Sequence, residues 1–199
     1  RKMQNVEKVS PDQAASVSVP TKYVQRDTQS EGSQMADRGF TTAAATLRQA
    51  LQEMPEIAEI SRNVVVEETA EGRDIQIVDQ DGRSMFPEGA ALPYERTRKV
   101  VAAIAPTLRR MPNRVRVTGH TSSIRGAARE RGAGWKLSTD RAVAIRDLLA
   151  NSGVPDDRFE SIIGKADTQP VFPDDPFLAP NRRVSILLVR EAPPLPPSK

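Results

Sequence analysis

Cysteine is absent from the 199 residues, and histidine occurs once, at position 120. The first absence removes disulfides, thiolate nucleophiles and sulfur-built zinc sites. The second leaves any metal to carboxylates around one imidazole, and no H-E-x-x-H or comparable spacing occurs, so no metal or other cofactor is expected. Aromatics make up only 4% of the chain, so the core must come from Leu, Ile, Val and Ala. No apolar run approaches the roughly 20 residues of a membrane span. The opening RKMQNVEKVS has neither an initiator Met nor a signal peptide's apolar core, which reads as a fragment or a processed chain. A surplus of one charge sign is also missing: net charge is +3, with acids and bases interspersed, as on an ordinary solvated surface. RGAARERGAG, at 125–134, is Arg- and Gly-rich but carries no aromatic on which a base could stack. No nucleic-acid partner is expected.

What is present divides the chain into segments. Residues 1–38 are polar, rich in Ser and Gln, and poor in large apolar residues; they read as a flexible linker, because such a segment cannot offset its ordering entropy by burial. Over 39–61 an accessory helix is predicted, since Phe40, Ala44, Leu47, Leu51 and Met54 recur at helical spacing before Pro55. A domain follows over 62–191, then a Pro-rich tail at 192–199. Within the domain, NVVVEE and DIQIVD predict a hairpin turning at TAEGR, with Gly72 in the turn. LPYERTRKVVAAIAPTLRRM predicts a helix that Pro106 bends or ends early. RVRVTG alternates as a half-buried strand. STDRAVAIRDLLANSG predicts a helix with Ser138 as N-cap and Gly153 just past its end. RFESIIGK and RRVSILLVR supply two last strands. The order β-β-α-β-α-β-β predicts an α/β (α+β) fold: one mixed sheet with helices packed on a face.

His120, in VRVTGHTSS, invites a catalytic reading. Ser122 and Ser123 are near in sequence, but nothing resembles a strained nucleophile elbow or supplies a third group to orient the base. His120 is expected instead to bond loop backbone at a strand's end, and no enzyme activity is expected. Arg141 is more informative. With Ser138 as cap it falls in a first helical turn, where free amides and the macrodipole favour anions. An arginine there calls for a carboxylate, supplied by a ligand or by a local acid such as Glu130 or Asp140. Arg182 and Arg183 begin a strand and must face opposite sides of it.

Three separated stretches carry a resemblance. VTGHTSS, GWKLSTDRAVAIRDLLANSGV and NRRVSILL, in that order and spacing across roughly 86–189, resemble the OmpA-like peptidoglycan-binding domain. That family has a G-H-T-D strand end, an N-x-x-L-S-x-x-R-A helix start and a terminal N-R-R-V strand. GRDIQIVDQDGRSMFPEGAAL, GKADTQPVFPDDPFLAPNRRVSILL and the preceding TLRQALQEMPEIAEISRNVVVEE look like the MotB family of flagellar motor stator subunits. The resemblance implies a noncatalytic periplasmic domain that binds the peptide stem of peptidoglycan and holds the stator to the cell wall. It also implies a homodimer, a MotA-type partner, and a single upstream helix anchoring the full-length protein in the inner membrane. A general OmpA-like envelope anchor, such as a porin tail or a secretion-system subunit, is the alternative. For the site, the resemblance implies wall contact by Thr121, Ser122, Gly134, Leu137, Arg141 and Arg183, supported by His120, Ser138 and Phe86. Arg141 matches the arginine that takes the stem's carboxylate. Two positions depart from the pattern: Ser122 stands where the family has the Asp that takes the stem's ammonium, and Gly134 where it has Asn. Weaker binding, substitution by Asp140 or Glu130, and a specialised ligand all remain open.

Overall fold

The computed structural model describes residues 61–123 and 132–190, with helical positions at 42, 45, 46 and 49. Within that last group the Thr46 hydroxyl donates to the Thr42 carbonyl one turn back. The remainder of the expected accessory helix, the linker 1–38, the loop 124–131 and the tail 192–199 lie outside the described residues.

Five strands make one sheet: β1 (Val64–Thr69), β2 (Gly72–Val78), β3 (Val115–His120), β4 (Phe159–Gly164) and β5 (Arg183–Val189). Their spatial order is β1-β2-β5-β3-β4. All neighbours are antiparallel except β3 and β4, so the sheet is mixed, as the alternation of elements predicts. The helices α1 (Glu95–Arg110) and α2 (Ala133–Asn151) interrupt the strands in the expected order.

Strand alternation sends Ile75 and Ile77, Val115 and Val117, and Val184, Ile186 and Leu188 to one face. There they bury against Val100, Val101, Ile104 and Leu108 of α1 and Ala142, Ile145 and Leu149 of α2. Each fully buried aliphatic side chain contributes about 1.5–3 kcal/mol of hydrophobic free energy. This one contact layer therefore fixes the strand register, because a one-residue slip would turn every such residue outward.

Two expectations about the helices are corrected. Pro106 neither ends nor shortens α1, which continues to Arg110. Pro106 and Ala102, whose carbonyl loses its donor, both lie on the exposed side. Water can satisfy that carbonyl while Ile104, Ala105 and Leu108 hold the helix to the core. The second helix begins at Ala133, after Gly132, so Ser138 is an interior residue and not an N-cap. Arg141 accordingly lies beyond the second turn, away from the free amides of the helix tip. Ser138 is completely buried. Its hydroxyl donates to the Trp135 carbonyl at 3.0 Å and accepts from the Ala166 amide at 3.0 Å. Gly153 does sit just past the end of α2, and its amide donates to the Ala150 carbonyl.

Backbone contact explains why α2 lies so near the sheet. A Cβ at Gly119 would come within 2.0 Å of the Ser138 carbonyl oxygen, and one at Gly164 within 2.1 Å of Thr139 Oγ1. Only glycine allows the ends of β3 and β4 to approach the helix this closely. The chain leaving β3 is thereby set beside the face of α2 that carries Leu137 and Arg141.

Candidate functional site

A cavity of about 700 Å3 opens where the chain leaves β3, beside α2 and the segment that follows β2. Thr121, Ser122 and Ser123 form one wall, Leu137 and Arg141 of α2 another, and Asp79 through Gly89 a third. The first wall is tied down by backbone. Thr121 N–H donates to the Ala166 carbonyl at 2.8 Å and Ser123 N–H to that of Pro176 at 2.9 Å. The Ser123 hydroxyl also donates to Asp167.

The third wall is organised by Asp79, which is 2% exposed. One carboxylate oxygen accepts from the Met85 amide at 2.7 Å, and the other from Arg182 Nε at 2.8 Å. The Ser84 hydroxyl donates to that second oxygen as well. A buried carboxylate needs such partners to remain charged. Arg182 in turn donates from Nη1 to the Ser122 hydroxyl at 3.3 Å. The strand-end serine is thus linked to the β2 exit through one guanidinium.

Arg141 is only 5% exposed. Its Nε donates to the Ala90 carbonyl at 3.0 Å and its Nη2, more loosely, to Pro87 at 3.4 Å. The guanidinium stacks over the Phe86 ring, 4.6 Å from its centroid. Burial pushes the Arg141 pKa down from the ordinary arginine value; Asp79 opposes that shift and Arg182 adds to it. No carboxylate among the described residues forms an ion pair with Arg141. Asp140, one of the local acids considered, pairs with Lys136 instead. Glu130 lies outside the described residues. Arg141 therefore keeps its charge in a place that disfavours charge, held by carbonyls and a ring. Such a group can receive a ligand's carboxylate at little further desolvation cost.

Of the positions expected from sequence, Thr121, Ser122, Leu137, Arg141 and Phe86 meet around this cavity. Gly134 stands behind it, where a Cβ would touch Ala166 Cβ and Thr121 Oγ1 at 3.4 and 3.5 Å. Ser138 lies beneath, pinning Ala166. Arg183 is not at this site: it lines a separate cavity on the other face of the sheet, and its neighbour Arg182 occupies the place expected for it. Strand alternation forces that choice. His120 is the register partner of Arg183 and also faces away. Among the described residues no hydrogen bond joins it to loop backbone, and its buried Nδ1 has no hydrogen-bond partner; most of the loop it was expected to bond lies outside the described residues. The expectations from sequence missed Asp79, Glu88 and Phe177, and assigned Arg183 of the pair in place of Arg182. Asp79 and Arg182 are 103 positions apart, so no local spacing pairs them.

Comparisons with known proteins fit this geometry. Residues 85–182 match the model of the OmpA family. Motility protein B of Escherichia coli K12 is 34% identical over 146 residues, covering 73% of this chain and 47% of that protein. The chain thus spans about half the length of this curated relative. The cell wall anchor of the T6SS from Pseudomonas aeruginosa is 32% identical, with a TM-score of 0.53 over 71% of this chain and 97% of that one. The periplasmic domain of Helicobacter pylori MotB shares the fold, with a TM-score of 0.57 at 18% identity over 67% of this chain and 85% of that one. With its mixed sheet, its two helices on one face and its cavity at the end of β3, the chain belongs to the OmpA family, in a form related to Motility protein B.

Proposed function

We propose that this chain is a noncatalytic periplasmic anchor that binds the peptide stem of peptidoglycan and fastens a flagellar motor stator to the cell wall. The observation that carries the reading is Arg141: a buried guanidinium facing a 700 Å3 cavity with no acid paired to it among the described residues. A stem carboxylate would complete it. Glu88 lines the same cavity, is exposed, and has no partner among the described residues. We assign it the stem's ammonium, the role that Ser122 cannot fill because a hydroxyl carries no charge. Thr121 and Ser122 then position the stem between these two ends, and Leu137 and Phe86 exclude water from the guanidinium.

Relatedness to Motility protein B supports the motor assignment. It extends to a homodimer, a MotA-type partner and an inner-membrane helix upstream of the chain. A second reading is favoured by the 32% identity to the T6SS wall anchor: the same grip on the wall, serving a secretion machine. Two experiments separate these claims. Co-sedimentation with purified sacculi, comparing the chain with Arg141→Ala at equal circular dichroism, should show at least tenfold weaker binding, the loss of one charged hydrogen bond worth about 1.5–3 kcal/mol. Undiminished sedimentation removes Arg141 from the site. Restoration of swimming to a stator-deficient strain by the full-length gene, and not by the Arg141→Ala gene, supports the motor over the secretion machine.

A further inference from the structure

The face of the sheet opposite the helices carries a second cavity, of about 460 Å3. Its lining is densely charged, and most of those charges are already engaged. Arg116 is held between Glu71 and Glu160. The Asp74 carboxylate accepts from Ser185 and Gln76. Two cations remain. The Lys165 ammonium has no hydrogen bond or ion pair among the described residues, and the Arg183 guanidinium donates only to the backbone carbonyls of Gln169 and Asn181. Burial lowers the Arg183 pKa, and Asp74 and Glu67 only oppose that.

His120 sits between these cations. It is 5% exposed, lines the cavity, and leaves its buried Nδ1 without a partner. Burial and the charges of Arg183 and Lys165 hold it neutral. Lys165 and Arg183, neither of them in an ion pair among the described residues although the Asp74 carboxylate acts on Arg183, thus flank a buried imidazole with an unused ring nitrogen. An anion between them would pair with both cations and could accept a hydrogen bond from the ring nitrogen. The hydroxyl of Thr118 faces the same space and can donate to it.

We propose that this cavity is a second ligand site, distinct from the one around Arg141, which takes a small oxyanion (a carboxylate or phosphate group) between Lys165 and Arg183 against the His120 ring. Because His120 is the chain's only histidine, its imidazole resonances report on this cavity alone. The test titrates the 199-residue chain with sodium acetate and, separately, with sodium phosphate at pH 7, with ionic strength held constant by sodium chloride. A saturating shift of the imidazole signals is expected with at least one of the two anions, and the anion that saturates at lower concentration identifies the chemistry. Lys165→Gln should raise the midpoint about tenfold, the loss of one ionic contact. Arg183→Gln should do the same, and Lys165→Gln, at a half-buried position just past β4, keeps the test open if the strand substitution unfolds. Chloride-like, non-saturating drift with both anions overturns the proposal, as does a midpoint unchanged in Lys165→Gln. Arg141→Ala should leave the shift intact and Lys165→Gln should leave sacculus binding intact, so either site can fail without the other.

Discussion

Replacing Ser122 by Asp tests how the cavity handles an ammonium group. The Ser122 hydroxyl lies 3.3 Å from Arg182 Nη1, and it lines the same cavity as Glu88. A neutral hydrogen bond contributes about 1 kcal/mol net, and a charge-assisted one roughly twice that. Exchanging hydroxyl for carboxylate thus offers an ammonium about 1 kcal/mol more, or about fivefold in Kd. Arg182 competes for the new carboxylate, but weakly: its Nε is already paired with Asp79 at 2.8 Å and its side chain is 31% exposed, a setting where a further pair contributes about 0–1 kcal/mol. Ser122→Asp should therefore tighten binding of diaminopimelate-containing stem peptides about two- to fivefold, measured by isothermal titration calorimetry. Stems whose second amine is acetylated should gain nothing. Equal or weaker binding of the free-amine stem, or the same gain with the acetylated one, refutes the placement of the ammonium beside Ser122 and Glu88.

Glu88→Gln should weaken binding of the free-amine stem about fivefold while leaving the thermal midpoint unchanged, because Glu88 is exposed; calorimetry and a melting curve check both halves. Gly119→Ala should cost about 3 kcal/mol in urea denaturation, since its Cβ would meet the Ser138 carbonyl at 2.0 Å and neither backbone can swing aside. Burial, with Arg183 and Lys165 adding to it, pushes the His120 pKa from 6.5 down to about 3. The unfolded chain therefore binds the proton first, so the stability this group contributes is complete above pH 6.5 and is lost as pH falls from 6.5 towards 3. The slope is at most about 1.4 kcal/mol per pH unit, and urea titrations of His120→Gln across that window should be flatter than those of the unaltered chain.

Periodicity made most of the architecture legible. Alternation in RVRVTG and RRVSILLVR, and helical spacing in RAVAIRDLL, each report which side of an element meets the core, and the core fixes the rest. The two errors in the helices share a cause: a local residue rule was overridden by packing. Pro106 sits on the wet side of α1, where its missing donor does little harm. Ser138 has the chemistry of a cap, but its hydroxyl is spent on Ala166, 28 residues away, deep inside the fold. Arg141 was singled out through a helix-tip position that it does not occupy. It nevertheless faces the cavity, because its position follows from the family pattern and from the carbonyls at 87 and 90. The choice between Arg182 and Arg183 turned on strand phase, which two adjacent arginines at a strand start cannot reveal. Asp79 was invisible for a different reason: its meaning depends on a contact made across the sheet, between residues that no sequence spacing relates.

The last strand to be made, β5, occupies the middle of the sheet, and the residue just before it supplies the cation that locks Asp79. A chain made from its N-terminus holds β1 to β4 before the strand between β2 and β3 has arrived. The pocket is therefore completed only after the other four strands have been made. Copies that lack β5 would have an unfinished pocket, with Asp79 missing its cation.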